Sequence, residues 1–268
     1  MMRRYVSTDI EEMREFLKDE PDLLIRFEAG LQALDLLYFD IWVARDEEER
    51  LQGVLFRSYG DFYLHAGEKI NLEELAAFLG FMPMLYSLSG KEPLMEQLLP
   101  MLQGVRSTTL CTVARQKEPP QPLEFALLYQ KTQRTEDFRL VYALLGRAGE
   151  ADLPRFEDYY FTRRGLQSHK NGRTYYLCLE GEAYSTASTT GEVSGMALLT
   201  DVVTDPRDRR QGLAGALLTQ LCTDLHSEGL TPYVTYFAAQ AERFYQNLGF
   251  EPCGQFVYAR FDPPDEVN

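Results

Sequence analysis

The sequence is poor in the residues from which metal and redox centres are built. Its 268 residues include three histidines and four cysteines. Cys111, Cys178, Cys222 and Cys253 lie far apart with no C-x-x-C pair, so neither a metal-ligand set nor a disulfide framework is expected. They read as reduced, buried small hydrophobes. No run of about 18 uncharged apolar residues occurs, which argues against a membrane span. The opening "MMRRYVSTDIEEMREFLKDE" turns acidic where a signal peptide carries its apolar segment, so a cytoplasmic protein is expected. Basic charge is short as well: 27 Lys and Arg face 41 Asp and Glu, a formal net charge of −14. Such a surface repels a phosphate backbone and excludes nucleic acid as the main partner, while a cationic ligand such as an amine is compatible with it.

What is present is ample apolar material, 45% of residues, for one large or two ordinary domains, and two are expected. "IEEMREFLKDEPDLLIRFEAGLQALDLL" has helical spacing interrupted by Pro21 and reads as two helices. Strands follow in "FDIWVAR" and in "LQGVLFRSYGDFYLHAG", the latter bending at Gly60. Then come a helix in "INLEELAAFLGF", a strand in "PMLYSL", a helix in "EPLMEQLLPML" and a strand in "STTLCTVAR". "QKEPPQP" carries three prolines in seven residues and marks a boundary, giving domains 1–125 and 126–268. "LEFALLYQK" beside it is ambiguous, a connecting strand being one reading. Beyond it the pattern is two helices ("EDFRLVYALLGR", "PRFEDYYFTRRGLQSH") and three strands ("RTYYLCLEG", "EAYSTASTTG", "SGMALLTDVVT"). A helix "LAGALLTQLCTDLHSEG", a strand "PYVTYF", a helix "AERFYQNLGF" and a strand in "GQFVYARF" complete it. The expected class is α/β (α+β), with two mixed-sheet domains. No sequence repeat is visible, yet the order of elements suggests one.

Against the acidic background, "DVVTDPRDRRQGLAGALLTQL" stands out, with Arg207, Arg209 and Arg210 at a strand-to-helix junction. Leu213, Leu217, Leu221 and Leu225 recur every four residues, which docks the helix on a sheet, and Gly229 suits a left-handed end. The first turn is thereby fixed with its free N–H groups and positive dipole end toward the loop. Gly212, Ala214 and Gly215 let a bulky anion approach that backbone. Arginine adds paired donors that suit phosphate, and a pyrophosphate fits better than a single carboxylate. An ordinary surface loop is the alternative for these residues taken alone.

Two motifs in order resemble the GNAT superfamily of acyl-CoA N-acyltransferases. The first is V-x-T-x-P followed by R-x-x-G-x-A: Val202, Thr204, Pro206, Arg209, Gly212 and Ala214. The second is A-x-x-x-Y-x-x-x-G-F: Ala241, Tyr245, Gly249 and Phe250. The resemblance covers about residues 130 to 268 and implies helices on both faces of a twisted, mostly antiparallel sheet. It implies acetyl-CoA as co-substrate and direct transfer of its acetyl group to a primary amine of a small molecule or peptide in a ternary complex. Arg209, Arg210, Gln211, Gly212, Leu213, Ala214 and Gly215 would hold the pyrophosphate. Val202, Val203 and Thr204 would carry the pantetheine arm, with a backbone N–H near Val203 polarising the thioester carbonyl. Many relatives carry asparagine where Ala238 stands, so one cofactor contact is missing.

Tyr245 is the acid that the resemblance implies for the departing thiolate; spacing alone makes it a packing residue beside Ala241, Phe244 and Leu248. No base is identifiable among Asp201, Glu180, Glu182 and Glu192. His169 reads as exposed, His226 as a partner of a helix C-terminus, and Cys178 has no histidine to activate it. In the first half, "HAGEKINLEELA" replaces the arginine junction, and Glu68, Glu73 and Glu74 would compete with a pyrophosphate for the helix N–H groups. That half is expected to be a degenerate GNAT-like domain or an unrelated α/β domain. Two other functions stay open: a non-catalytic CoA-binding regulatory protein, and a loop that binds another anion such as a nucleotide.

Overall fold

The structure is a computed structural model of the chain; it describes residues 2–32, 39–123, 127–149 and 153–262. In chain order the elements are β1 (Met2–Arg4), α1 (Ile10–Leu17), α2 (Pro21–Gln32), β2 (Phe39–Arg45), β3 (Leu51–Ser58) and β4 (Asp61–Ala66). α3 (Leu72–Gly80), β5 (Ser87–Gly90), α4 (Glu92–Leu98) and β6 (Val105–Arg115) follow. The rest comprises β7 (Gln130–Lys131), α5 (Thr135–Ala148), α6 (Phe156–Ser168), β8 (Thr174–Leu179), β9 (Glu182–Val193) and β10 (Met196–Thr204). Last come α7 (Leu213–Ser227), β11 (Thr231–Tyr236), α8 (Ala239–Asn247) and β12 (Glu251–Phe261).

The chain divides into two compact units, Met1–Val113 with Cys253–Asn268, and Ala114–Pro252. The boundary expected at 125/126 lies on residues outside the described ones. The contact division instead leaves the first unit at 113 and gives it the last strand, which the sequence reading had assigned to the second half.

Unit 1 has the strand order β1-β2-β3-β4-β5-β12-β6. β2, β3 and β4 are antiparallel, β4 and β5 parallel, and β12 runs antiparallel to β5 from Val257↔Gly90 to Arg260↔Ser87. The bend expected at Gly60 is the hairpin between β3 and β4. Alternation along β2 sorts its side chains by face. Ile41 and Val43 join Met13, Leu17, Leu23 and Phe27 of α1 and α2. Trp42 joins Leu75, Leu79 and Met95 of α3 and α4, together with Ala259 and Phe261 of β12.

Unit 2 has the order β11-β10-β9-β8-β7. β7 to β10 are antiparallel and β10 pairs β11 in parallel. The residues beyond Leu123 read as an ambiguous strand contribute β7 at their end, 124–126 lying outside the described residues. Tyr175 faces Leu217, Leu218, Leu221, Cys222 and Leu225 of α7, and Tyr176 faces Phe138, Val141 and Leu144 of α5. The helices thus cover both faces, as expected. Each fully buried leucine of α7 contributes about 2 kcal/mol, which seats the helix firmly.

In each half of the sequence two helices precede three antiparallel strands, a helix, a fourth strand parallel to the third, a helix and a last strand. The repetition absent from the residues is present in the topology.

Cys111 and Cys222 are buried as expected, whereas Cys178 is half-buried and Cys253 exposed. No helix among the described residues is long and apolar enough to cross a membrane.

Asp9 fastens α1 of unit 1. Its carboxylate accepts two 2.9 Å bonds from Arg3, one of 2.7 Å from the Val6 N–H and one of 2.9 Å from Arg45. Chiefly through the Arg3 bonds its pKa falls from 3.8 to about 2. A depressed carboxylate stabilises the fold above its unfolded pKa and loses that effect as pH falls through the folded value. Asp9→Asn should therefore cost about 2 kcal/mol at pH 7. Denaturant titrations should show the difference shrinking between pH 4 and pH 2; a difference undiminished at pH 2 would assign it to packing.

Candidate active site

Between Thr200 and Val203, β10 advances three residues while β9 retreats two, from Ser188 to Thr186. The extra residue makes a bulge, and within it Asp201 adopts φ +49, a left-handed conformation that Asp tolerates better than most residues. Arg163 of α6 ion-pairs with Asp201 and donates to the Thr189 carbonyl at 3.2 Å. Thr200 Oγ1 donates to Asp201 Oδ1 at 3.1 Å. The parallel ladder to β11 runs from Met196↔Thr231 to Leu199↔Val234, although β10 continues to Thr204. Val202, Val203 and Thr204 therefore lie beyond the ladder, on a stretch of β10 paired only with β9. Val202 packs toward α7 and Val203 toward α5, so the opening has an apolar wall on each side.

The loop after β10 is tied down by Asp205, which is 1% exposed. It accepts from the Arg207 N–H at 3.0 Å, from Arg207 Nε and Nη2 at 3.0 Å, and from Arg147 Nε at 2.8 Å. The bonds from Arg207, then those from Arg147, hold its carboxyl well below the ordinary range. Arg207 also reaches Glu182 at 3.1 Å. Of the three arginines, Arg207 thus fixes the loop rather than adding charge to the cradle. The D-P-R triplet could have revealed this, since Asp before Pro commonly turns its side chain onto the backbone two residues on.

Arg209 Nε donates to the Thr204 carbonyl at 3.3 Å. Arg209 and Arg210 are exposed, and no ion pair holds either among the described residues. Arg210 has φ +65 and Gly212 φ +79, so the chain turns tightly into α7. Gly212 is the N-cap and no side chain caps the helix. The first helical bond runs from the Ala216 N–H to the Gly212 carbonyl at 2.9 Å, which leaves the N–H groups of Leu213, Ala214 and Gly215 as donors without a helical partner. A Cβ on Gly212 would meet nothing within 4 Å, and one on Gly215 only Phe244 Cε2 at 4.0 Å. Gln211, Gly212, Leu213, Ala214 and Gly215 thus form an open helix end beside two cations, suited to a bulky anion.

Tyr245 on α8 is 8% exposed. Its ring stacks on Tyr236 at 5.4 Å and meets Phe244 and Phe250 edge-on at 5.1 and 5.6 Å. Burial, with smaller contributions from Cys222 and Tyr236, pushes the phenol well above its ordinary pKa, so it stays protonated at neutral pH. Ala238 is the uncapped N-cap of α8 and offers no side-chain donor.

The carboxylates considered as bases are mostly occupied. Asp201 faces Arg163, Glu182 faces Arg207, and Glu192 takes two bonds of 2.8 and 2.6 Å from Arg173. Glu180, at φ 52, turns the β8–β9 hairpin. His169 is exposed as expected. His226 differs from its expected role: burial lowers its pKa and Nε2 lies 3.2 Å from Gln116 Oε1, so it is a neutral hydrogen-bonding group. Among the described residues no group of three or more His, Cys, Asp or Glu could hold a metal.

At the corresponding place in unit 1, β3 and β4 pair without a bulge from Gly53↔Ala66 to Ser58↔Asp61. The N-terminus of α3 is closed by Asn71, whose side chain accepts from the Glu74 N–H at 3.0 Å. Glu73 and Glu74 lie in its first turn, and the Glu74 carboxylate also accepts from the Met2 N–H at 2.7 Å.

The family model of the acetyltransferase (GNAT) domain matches residues 133–253. No curated protein matches the chain by sequence. A GCN5-related N-acetyltransferase from Sphaerobacter thermophilus is similar in structure at TM-score 0.65 and 17% identity, with 97% of this chain and 94% of that one covered. A Drosophila protein gives TM-score 0.70 at 14% identity and 98% coverage of both chains. A tandem GNAT protein from the clavulanic acid biosynthesis pathway gives TM-score 0.57 at 15% identity and 99% coverage of both. The fold is that of GNAT proteins, tandem ones included, and residues 133–253 match the model of the GNAT acetyltransferase domain.

Proposed function

We propose that the protein transfers an acetyl group from acetyl-CoA to a primary amine of a small molecule or peptide, by direct transfer in a ternary complex in the cytoplasm. The observation that carries this reading is the uncapped N-terminus of α7 beside Arg209 and Arg210, next to a β10 that has parted from β11. Residues 126–268 serve as the acetyltransferase domain in this reading, and residues 1–125 as a degenerate GNAT-like domain without a cofactor loop.

Arg209, Arg210 and the N–H groups of Gln211, Gly212, Leu213, Ala214 and Gly215 would hold the pyrophosphate. Val202, Val203 and Thr204 would offer backbone groups to the pantetheine arm, and an N–H near Val203 would polarise the thioester carbonyl. Acetyl-CoA supplies the activated acyl group. Tyr245 keeps its proton at neutral pH and supplies it to the leaving sulfur. Its raised pKa makes it a weak acid in the resting protein, so transfer must coincide with the growth of negative charge on sulfur. That same burial favours a second reading, a CoA-binding regulatory protein in which Tyr245 only packs.

Thermal unfolding with and without acetyl-CoA tests the cradle. At roughly 100 times Kd the ligand should add about 2.7 kcal/mol, a Tm rise of several degrees. Arg209→Ala should abolish most of the rise. Gly215→Ala should keep the fold, since a Cβ there is 4.0 Å from its nearest neighbour, yet should weaken the hold on the pyrophosphate. Unchanged ligand stabilisation in both variants would place the cofactor elsewhere. Tyr245→Phe should lower kcat by roughly 100-fold against an amine substrate while CoA binding persists. Binding without turnover across an amine panel, in wild type and variant alike, would favour the regulatory reading.

A further inference from the structure

The bulge of β10 leaves a short piece of backbone in register with neither neighbour. On the β9 side the pairing passes from Thr200↔Ser188 to Val203↔Thr186, which gives Asp201 and Val202 no partner. On the β11 side it has already ended at Leu199↔Val234. The sheet alone therefore does not fix the direction of this backbone. Val203 follows directly, so whatever holds Asp201 and Val202 also sets the N–H groups beside the opening.

One side chain from outside the sheet spans the irregularity. Arg163 of α6 ion-pairs with Asp201 inside the bulge, and its Nη1 donates to the Thr189 carbonyl at 3.2 Å. Thr189 is the partner of Leu199, the last residue of β10 that is paired on both sides. The guanidinium thus ties the displaced residue to the last regular rung. Thr200 Oγ1 adds a 3.1 Å bond to the same carboxylate. Arg163 is backed in turn by buried Tyr159, one helical turn earlier, whose ring centre lies 5.8 Å from Cζ.

Two points set this pair apart from an ordinary surface ion pair. The side chains of Arg163 and Asp201 are only 11% and 19% exposed, and for charges so far removed from water the net gain in stability is small. Asp201 also holds φ +49, a conformation that persists in a residue with a side chain where its surroundings over-determine it. The contacts of Arg163 and Thr200 supply that determination.

We propose that Arg163 is a positioning residue for acyl transfer: by clasping Asp201 to the Thr189 rung it holds the bulge so that a backbone N–H near Val203 meets the thioester carbonyl. This rests on the reading of α7 as an acetyl-CoA cradle. Arg163 acts through the backbone of β10 and need touch neither cofactor nor acceptor.

Arg163→Met alone would leave the Asp201 charge uncompensated, so the test uses Arg163→Met/Asp201→Asn, in which asparagine keeps the tolerance for left-handed backbone. Two ligands separate the parts of the site. CoA, which has no thioester carbonyl, reports on the cradle through the Tm. Acetyl-CoA isotopically labelled at the carbonyl carbon reports on the N–H through its infrared carbonyl band. In the parent the bound band should lie at lower wavenumber than the free one, the signature of a hydrogen bond to that oxygen. In the double variant CoA should raise the Tm as much as in the parent, while the band returns to its free position. A band still shifted in the variant would overturn the role, and so would an unshifted band in the parent. Loss of CoA stabilisation together with the shift would make the clasp a general support of unit 2 and overturn it as well. Absence of CoA stabilisation in the parent is the distinct outcome that removes the cradle reading, and the role of Arg163 with it.

Discussion

The one-residue bulge of β10 is the constraint on which the rest of unit 2 depends. An extra residue at Asp201 breaks the regular step against β9 and increases the local twist. The parallel ladder to β11 then ends at Leu199 and Val234, five residues before β10 does. The freed stretch, Val202 to Thr204, points the chain into the Asp205 loop and so delivers the N-terminus of α7 to the mouth of the opening. Arg163 ion-pairs with Asp201, and the leucines of α7 pack in the cluster that Val202 joins. Without the bulge β10 would stay laddered, and an exposed helix end would be merely a helix end.

Unit 1 shows what the same topology does when that constraint is missing. Its third strand pairs regularly, and the helix after it is closed by Asn71. The difference between the open N-terminus of α7 and the closed one of α3 comes down to few residues. Asn71 satisfies a donor internally, whereas Gly212 leaves it open and also takes the left-handed turn that brings Arg210 alongside. Two copies of an architecture can thus differ at a helix end with no change in the architecture itself.

Most elements were legible because their signals are local. The four-residue leucine recurrence of α7, the small residues at its start and the left-handed Gly229 all reappear in the structure. Pro21 does begin a second helix, and Gly60 does sit in a hairpin turn. The strand expected in "PMLYSL" is shorter and shifted to Ser87–Gly90, because its extent is set by its neighbours β4 and β12 rather than by its own residues. β1 was not visible: three residues, two of them arginine, become a strand only by pairing with Trp42 to Ala44. Long-range pairing likewise hid the destination of β12. The bulge at Asp201 left no signal beyond a polar residue inside an apolar strand.

The return of the chain to unit 1 at Cys253 has a consequence for biosynthesis. Val257 to Arg260 supply the neighbour of β5, and Ala259 and Phe261 fill part of the core beneath it. As the chain leaves the ribosome, unit 1 emerges first yet is completed last, with the edge of β5 and an apolar surface uncovered until the final strand is made. An uncovered edge strand is a template for mispairing. The order of synthesis therefore makes the folding of the first unit contingent on the second, and it sets a pressure on the 87–90 edge to remain short, as it is.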